Sequence, residues 1–280
     1  MPYEEDIMKN SLLRFLAFAS LLILPSMLFA GVTSVATCGT VITTPGSYAL
    51  SADLACSGDG VDIQANKVTL YLKGHTISGP GAYAGTTGVS VGGEVFKTVN
   101  VVGPGTITNF SIAVTFDGTD GGGLVGVNMT GNATSLFVGN SVNQNPATTL
   151  LIAQNTCNGV VGEGFNFPAI ENSTIVGNTC TNNYFGILLA GSKNTFVGNT
   201  ITNNYGDGID ISSGSGNVFR GNQFRSNGGN GINNYASGTQ FIGNLATGNG
   251  SYDINENVGA CAGDTYKNDA FVTANLSCVK

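Results

Sequence analysis

The sequence contains no tryptophan, a single histidine and only 10 lysine or arginine residues among its 280 positions. Surfaces that bind nucleic acid need many clustered basic side chains, and this chain has no such cluster, so no nucleic-acid partner is predicted. The cysteines show no Cys-x-x-Cys spacing, and His75 is the one histidine. No transition-metal site built from these residue types is therefore predicted.

Strong helix formers are also scarce after the first thirty residues, where Gly, Thr, Val, Ile and Asn dominate. Glycine alone contributes 42 residues. Because glycine weakens helices and β-branched residues favour strands, this composition argues against a helical bundle or a doubly wound α/β fold. An all-β fold is predicted.

The N-terminus has the pattern of a secretory signal peptide. An apolar run over residues 15–30 follows Lys9 and Arg14 and ends at Ala30, where we predict cleavage; Met8 is a better start than the first residue. An uncleaved membrane anchor is the alternative, although the run is short for a membrane span. We expect a secreted, periplasmic or cell-surface protein with no membrane span after cleavage.

Six cysteines follow the signal sequence, an even number that suits an oxidising compartment. They fall into neighbours along the chain: Cys38 with Cys56, Cys157 with Cys180, and Cys261 with Cys278. Disulfides within these pairs are predicted, and reduced thiols packed as small hydrophobes are the alternative.

The clearest signal is an internal repeat of about 22 residues. Short strings such as Thr-Phe-Val-Gly-Asn recur with their asparagines in one phase, at Asn128, Asn155, Asn178, Asn199, Asn222 and Asn244. A second phase of Gly-Phe or Gly-Ile pairs runs alongside it, at Gly164, Gly186, Gly208 and Gly231. Asparagine tolerates left-handed backbone angles and its amide can bond along a stack, so the asparagine column predicts a structural bend.

Three short strands per repeat predict a single-stranded parallel β-helix, a solenoid in which each coil pairs with the next. One coil gains too little buried area to fold alone, whereas stacked coils place like residues above like. Two interior stacks are predicted, one aliphatic and one aromatic: Ile187, Ile209 and Ile232, and Phe196, Phe219 and Phe241. The helix should occupy residues 31–280, with an N-terminal cap at about 31–58 and a C-terminal cap at about 253–280.

The string Val-Thr-Leu-Tyr-Leu-Lys-Gly-His-Thr-Ile-Ser-Gly at 68–79 and the repeated Val-Gly-Asn-Thr-x-Thr-Asn-Asn resemble the right-handed parallel β-helix repeat family, the broad pectate-lyase-like group. The resemblance covers nearly all of residues 38–257. It implies the fold and its hand, and leaves the activity open, because this architecture hosts lyases, hydrolases, epimerases, adhesins and proteins without catalysis.

The repeat also places the cysteines. Cys157 and Cys180 each lie two residues after a column asparagine, at the position of Ile201 and Phe224 in later coils. They should point inward from adjacent coils, whose spacing of about 4.8 Å suits a disulfide. The other two pairs flank the ends of the solenoid and should staple its caps.

The sharpest catalytic candidate is the string at 205–211, in which Asp207 and Asp210 flank a Gly-Ile pair. Paired carboxylates suit acid and base catalysis at a glycosidic bond, or hold calcium against an acidic sugar. Calcium is the only cofactor that the carboxylates would suit, and no other is predicted. The string resembles the Asn-Thr-Asp-Gly-Ile-Asp segment of polygalacturonases, yet the Asp-Asp, Gly-His-Gly and Arg-x-Lys elements of that family do not follow Asp210.

Arg220, one coil later, is the candidate for the arginine base that the resemblance to pectate lyases would require, although strand alternation makes it an outward surface residue. The string Asp-Gly-Val-Asp-Ile also occurs at 59–63, and two copies in a repeat protein favour a turn over two active sites.

Two hypotheses follow. The first is an exported, acidic module that binds a polysaccharide or cell-surface glycan without a complete catalytic set, using exposed aromatic and polar side chains: Tyr184, Tyr205, Tyr235 and Glu163. The second is a lyase, hydrolase or epimerase on acidic polysaccharide that uses Asp207, Asp210 and Arg220. A third, assistance in assembling a periplasmic copper enzyme, has no visible copper site, because the chain has one His and four Met.

Overall fold

The computed structural model describes residues 31–92, 97–139, 146–261 and 263–279. The predicted signal peptide, residues 1–30, lies outside the described residues. The chain divides into two units after Val32, and the second unit, Thr33–Lys280, forms the fold. No helix within the described ranges is both long enough and apolar enough to cross a membrane.

The described residues form parallel β-strands, numbered here in chain order, and one short 3-10 helix at Gly259–Cys261. Successive strands turn around a common axis. From β2 onwards each strand pairs with the strand three places later, while β1 pairs with β3, so that three faces arise. The strands of face 1 are β2 (Thr40–Ile42), β5 (Val61–Ile63), β8 (Thr87–Val91), β11 (Ile112–Asp117), β14 (Thr134–Gly139), β17 (Glu163–Glu171), β20 (Phe185–Ser192), β23 (Ile209–Ser213), β26 (Ile232–Asn234) and β29 (Ile254–Glu256).

Faces 2 and 3 complete each coil. The strands of face 2 are β1 (Val32–Val35), β3 (Gly46–Leu50), β6 (Val68–Tyr71), β9 (Lys97–Val102), β12 (Asp120–Val125), β15 (Ala147–Ala153), β18 (Thr174–Val176), β21 (Thr195–Val197), β24 (Val218–Arg220), β27 (Gln240–Ile242) and β30 (Thr265–Lys267). The strands of face 3 are β4 (Leu54–Ala55), β7 (Thr76–Ser78), β10 (Thr106–Thr108), β13 (Asn128–Thr130), β16 (Thr156–Asn158), β19 (Thr179–Thr181), β22 (Thr200–Thr202), β25 (Gln223–Arg225), β28 (Leu245–Thr247) and β31 (Ala270–Phe271).

The predicted parallel β-helix, with three short strands per coil, is therefore confirmed. Inward positions of the strands are apolar and buried, and they form one continuous core. The predicted stacks of Ile187, Ile209 and Ile232 and of Phe196, Phe219 and Phe241 occupy aligned, buried positions on adjacent coils. Tyr266 extends the aromatic stack by one ring, 4.9 Å from Phe241 between ring centroids.

All three predicted disulfides are present. Cys157 and Cys180 are aligned on β16 and β19, with 4.7 Å between their Cα atoms, and both are buried at the positions that Ile201 and Phe224 take in later coils. The other two bridges lie near the ends of the solenoid. None of the cysteines in the described residues is free.

The predicted asparagine column lies at the bend between faces 2 and 3. Each side chain accepts hydrogen bonds from the preceding asparagine at 2.9–3.0 Å, over intervals of 23, 21, 23 and 22 residues. Its members are Asn155, Asn178, Asn199, Asn222 and Asn244. The inclusion of Asn128 is wrong: Asn128 pairs with Thr156 within a strand of face 3, and Val127 takes the column position, donating its N–H to Asn155 Oδ1.

Two further ladders, which were not predicted from the sequence, lie one at each of the other bends. Between faces 3 and 1, adjacent coils are bonded through the buried Asn183, Asn204 and Asn227 and the half-buried Asn249. Between faces 1 and 2, they are bonded through Ser173, Asn194 and Asn217. Each bend is thus tied to the next coil by side chains, which satisfies backbone groups where the sheet hydrogen bonds are interrupted.

Candidate functional site

The three carboxylates that the sequence singles out lie on face 1 or at its edge. Asp207 lies just before β23 and Asp210 lies on it, while Glu163 begins β17 two coils earlier. Glu163 is aligned with Phe185 of the next coil, and Phe185 is in turn aligned with Asp207 of the coil after that. Face 1 therefore carries these three carboxylates along one side of the solenoid.

Asp207 is engaged by the following coil. Its Oδ1 accepts the backbone N–H of Asn230 at 2.5 Å and the side-chain amide of the same residue at 3.1 Å. Asp59, in the other copy of the string, accepts the N–H of Thr87 one coil on at 2.7 Å. Both copies thus close a bend against the next coil, which favours the turn interpretation for the first aspartate of each string.

Asp210 points outward in a row of polar side chains that continues through Asn233 and Asn255. Its Oδ1 is 3.5 Å from Asn233 Nδ2, a long contact. Partial burial raises the pKa of Asp210, and the negative charge of Asp207 raises it further. A raised pKa favours the protonated form of a carboxyl, which suits a general acid.

Arg220 does not share this surface. It lies on β24 of face 2, exposed, in a row with Val197 and Ile242. The bend at Asn217 separates it from Asp210. Within the described ranges the ion pairs are His75 with Asp53 and Lys97 with Asp120, so the arginine pairs with neither aspartate.

An aromatic depression adjoins the carboxylates, at the edge where face 3 turns into face 1. We call it the tyrosine groove; its volume is about 380 Å³, and it is lined by Gly159, Val160, Val161, Asn182, Tyr184 and Tyr205. Tyr184 and Tyr205 are 54% and 78% exposed, and Val161 is 52% exposed. Three large apolar side chains thus face solvent together.

The asparagine ladder at this bend explains the alignment of the groove. Tyr184 follows Asn183 and Tyr205 follows Asn204, and the N–H of Asn183 donates to Asn204 Oδ1 at 3.0 Å. Because the ladder holds adjacent coils in register, the residue after each rung falls at the same place on the surface. Val161, after Val160, lies one coil earlier in the same line.

Close packing fixes the orientation of the groove. The ring of Tyr184 meets Phe185 edge to face, with 5.0 Å between centroids. A side chain at Gly206 would collide with the Phe185 ring, and a Cβ at Gly228 would lie 2.2 Å from the Tyr205 carbonyl oxygen. Both glycines therefore allow the tyrosine-bearing coils to stack closely.

Two other predicted binding residues lie apart from the groove. Tyr235 is 52% exposed but follows β26, at the opposite edge of face 1, where the chain turns towards face 2. Glu163 accepts a hydrogen bond from the Thr134 hydroxyl at 2.9 Å. Val161 and Asn182 also line the groove and were not predicted from the sequence. Both flank ladder positions, Val160 and Asn183, and this position in the repeat could have identified them.

His75 packs at a bend of the N-terminal half, with its Nδ1 3.1 Å from Asp53 Oδ1. Asp53 also accepts the N–H of Thr76. This hydrogen bond is the larger cause, and the hydrogen bond with His75 the smaller one, of a lowered pKa at Asp53. In the part of the chain that the structure describes, no cluster of three or more His, Cys, Asp or Glu side chains is arranged to hold a metal ion.

Comparison with solved structures finds the same solenoid in several proteins. The periplasmic alginate epimerase AlgG, as a mutant, superposes with a TM-score of 0.60 at 14% identity, covering 91% of this chain and 78% of that one. The mannuronan C-5 epimerase AlgE6 A-module of Azotobacter vinelandii superposes with a TM-score of 0.57 at 14% identity, covering 88% of this chain and 85% of that one. Endopolygalacturonase I from Stereum purpureum superposes with a TM-score of 0.52 at 14% identity, covering 87% of this chain and 93% of that one.

At such low identity these likenesses concern the fold alone. No curated protein sequence matches the chain. A family model described as a right handed beta helix region matches residues 112–270, which is more than half of the sequence. The chain is therefore a member of the right-handed β-helix family.

Proposed function

We propose that this chain is an exported protein that binds a polysaccharide in the tyrosine groove of face 1. The observation that carries the proposal is the alignment of Tyr184 and Tyr205 on adjacent coils, both exposed beside an open depression. Exposed aromatic rings stack on the apolar faces of sugar rings, and hydrogen-bonding groups such as the Asn182 amide recognise sugar hydroxyls.

The charges nearby favour a neutral glycan. The residues that line the groove include no lysine or arginine. Asp207 and Asp210 lie on the adjoining strand, and their negative charges disfavour an acidic chain that is not accompanied by cations. The predicted ligand is a neutral polysaccharide that lies across two coils and extends over the polar row towards Asn233.

Export is part of the same proposal. The signal-peptide pattern at the N-terminus predicts it, and three disulfides suit an oxidising compartment. One structural relative is described as periplasmic, which is consistent with that placement. The protein would then meet its glycan outside the cytoplasm, in the periplasm, at the cell surface or in the medium.

A glycan array followed by titration calorimetry tests the proposal. The double variant Tyr184→Ala/Tyr205→Ala should weaken binding about fivefold to 150-fold, since each stacked ring contributes roughly 0.5–1.5 kcal/mol. Tyr83→Ala is the matched control, because Tyr83 is 83% exposed and lies outside the groove. The absence of binding to every polysaccharide, or an equal loss in the control, would contradict the proposal.

The raised pKa of Asp210 favours a second candidate, an enzyme that acts on polysaccharide with Asp210 as its acid. Its prediction is turnover of the bound glycan, measured as new reducing ends, unsaturated sugars or epimerised residues. Asp210→Asn should abolish that turnover while leaving binding in the groove unchanged. Turnover that survives this substitution would remove Asp210 from the mechanism.

A further inference from the structure

The outward surface of face 3 is unlike the rest of the solenoid. Across six consecutive strands, β7, β10, β13, β16, β19 and β22, each three-residue strand buries its middle side chain and presents the other two to solvent. We call these twelve outward positions the threonine face. They are Thr76, Ser78, Thr106, Thr108, Asn128, Thr130, Thr156, Asn158, Thr179, Thr181, Thr200 and Thr202.

The threonine face is uncharged and without aromatic side chains, and nine of its twelve residues are threonine. Strand propensity alone does not account for this. The equivalent outward positions of face 2 on the same coils hold three threonines, and otherwise mostly apolar residues. They are Thr69, Tyr71, Asn100, Val102, Gly123, Val125, Leu151, Ala153, Thr174, Val176, Thr195 and Val197.

The array is regular in two directions. Its strands pair without a register shift, whereas face 1 has shifts within β17 and β20. Neighbouring threonines therefore repeat about 4.8 Å apart along the stack and roughly 6.7 Å apart across each strand. Six coils give a patch about 24 Å long.

Several of its hydroxyls are free for an external partner. Among the described residues, the side chains of Thr156, Thr179 and Thr200 make no hydrogen bond to the protein, while that of Thr108 donates to the Thr130 carbonyl oxygen at 2.7 Å. A threonine presents a hydroxyl that bonds to water and a methyl group that orders the water beside it.

We propose that the threonine face binds the surface of ice. A soluble ligand contacts a few positions, whereas a two-dimensional array of one small side chain matches a partner that is itself periodic. The two spacings of the array lie close to the repeats of water molecules on exposed planes of hexagonal ice. The absence of charge fits a neutral lattice of water, and the absence of aromatic rings disfavours a crystalline polysaccharide, the other periodic surface.

The test measures thermal hysteresis and inhibition of ice recrystallisation with the disulfide-bonded mature protein. The wild type should show both, and Thr179→Lys/Thr200→Lys should lose them, because two long charged side chains on adjacent coils lift the face from the lattice. The matched control is Thr174→Lys/Thr195→Lys, which alters two paired threonines of face 2 on the same coils. This control should keep the wild-type activity.

A milder variant, Thr179→Ser/Thr200→Ser, keeps the hydroxyls and removes two methyl groups, so reduced hysteresis is expected even if the lysine variant fails to fold. Three results would overturn the proposal. They are a wild type without ice activity, equal loss in the face 2 control, and binding to crystalline cellulose or chitin through face 3 without any effect on ice. The tyrosine groove lies at the bend beyond this face, so glycan binding succeeds or fails independently.

Discussion

A single ladder asparagine makes more contacts than its short side chain suggests. The Oδ1 of Asn199 accepts bonds from the backbone and side chain of Asn178, and its Nδ2 donates to the Ile175 carbonyl and to Asn222. All of these groups are buried, so Asn199→Ala leaves at least two of them unsatisfied. We expect a loss of about 4 kcal/mol in the free energy of unfolding, measured by urea titration.

The neighbouring residue supplies the control for this measurement. Thr200 points to solvent, and Thr200→Ala should change the free energy of unfolding by less than about 0.5 kcal/mol. If Asn199→Ala cost no more than Thr200→Ala, the ladder would be a consequence of coil stacking and not one of its causes.

The limits of sequence reasoning are visible at the same scale. The column at one bend can be recognised in the sequence because a glycine directly precedes most of its asparagines. Asn128 has a glycine two residues before it, fits the spacing only approximately, and lies in a strand. The coil between these two strands is long: Asn128 is aligned with Thr156, 28 residues later. The residue aligned with Asn155 is therefore Val127 and not Asn128. The ladders at the other two bends lack a constant neighbour, so spacing alone did not separate them from ordinary Asn-rich turns.

At the scale of the strand, the Cys157–Cys180 bridge joins adjacent coils in the middle of face 3. Replacing both cysteines by alanine removes a cross-link between aligned strands and leaves a small cavity. We expect the free energy of unfolding to fall by about 3 kcal/mol, the value that the loss of loop-closure entropy gives for a loop of this length. Urea titration of oxidised protein measures the change.

The bridge near the N-terminal end provides the comparison. Cys38 and Cys56 join the first coils, where a local loss need not spread through the solenoid. Removing that pair should increase proteolysis near the end with a smaller change in global stability. Equal global effects of the two double variants would show that the solenoid unfolds as one unit from either end. Intact mass without reductant checks that all six thiols are paired in the native protein.

Strand alternation predicted that Arg220 points outward, and Arg220 is exposed on β24. Alternation carries no information on which of three faces a strand belongs to when bends vary in length. Asp210 and Arg220 are ten residues apart, and the bend at Asn217 places them on different faces. Ten residues of separation in the sequence therefore do not place Asp210 and Arg220 on the same face.

At the scale of the whole molecule, the last coil of a solenoid needs hydrogen-bond partners for the final residues of its ladders as well as for its final strands. Two of the three ladders end on an aspartate: Asn244 donates to Asp269, and Asn249 donates to Asp253. At the third bend, between faces 1 and 2, the N–H of Thr239 donates to Asp264. The last member of a ladder needs only to accept, and a carboxylate is an acceptor. Three partly buried carboxylates therefore gather where the core would otherwise be open to water.

One of these aspartates makes the C-terminal end sensitive to pH. Burial raises the pKa of Asp264 to about 6 from its ordinary 3.8, against a hydrogen bond from the Thr239 N–H, and the nearby charge of Glu256 adds to the rise. Asn234 Nδ2 donates to both carboxyl groups, at 2.8 Å to Glu256 and 2.9 Å to Asp264. The two carboxyls thus share one amide at the end of the core.

The sign of the effect follows from proton binding. Between about pH 4 and pH 6 the folded chain holds a proton on Asp264 that the unfolded chain releases. The contribution of Asp264 to the free energy of unfolding is therefore complete below about pH 4 and is lost as the pH rises through about 6. Burial also raises the pKa of Asp269, which acts in the same direction, whereas hydrogen bonds from Val272 and Asn249 lower the pKa of Asp253 despite its burial and act in the opposite direction. The prediction therefore concerns the difference between the wild type and Asp264→Asn, which cannot titrate.

Thermal midpoints measured from pH 4 to pH 8 should show the wild type losing stability relative to Asp264→Asn up to about pH 6, with a constant difference above it. Asp62→Asn is the control, since Asp62 faces outward on β5, far along the stack from the last coil. Amide exchange should place the extra opening at high pH in β29 to β31, because a repeat protein loosens from the end whose cap is weakened. Parallel curves for the wild type and Asp264→Asn across this range would mean that the end of the solenoid is held by its disulfide and packing alone, and that the shared amide of Asn234 keeps both carboxylates charged.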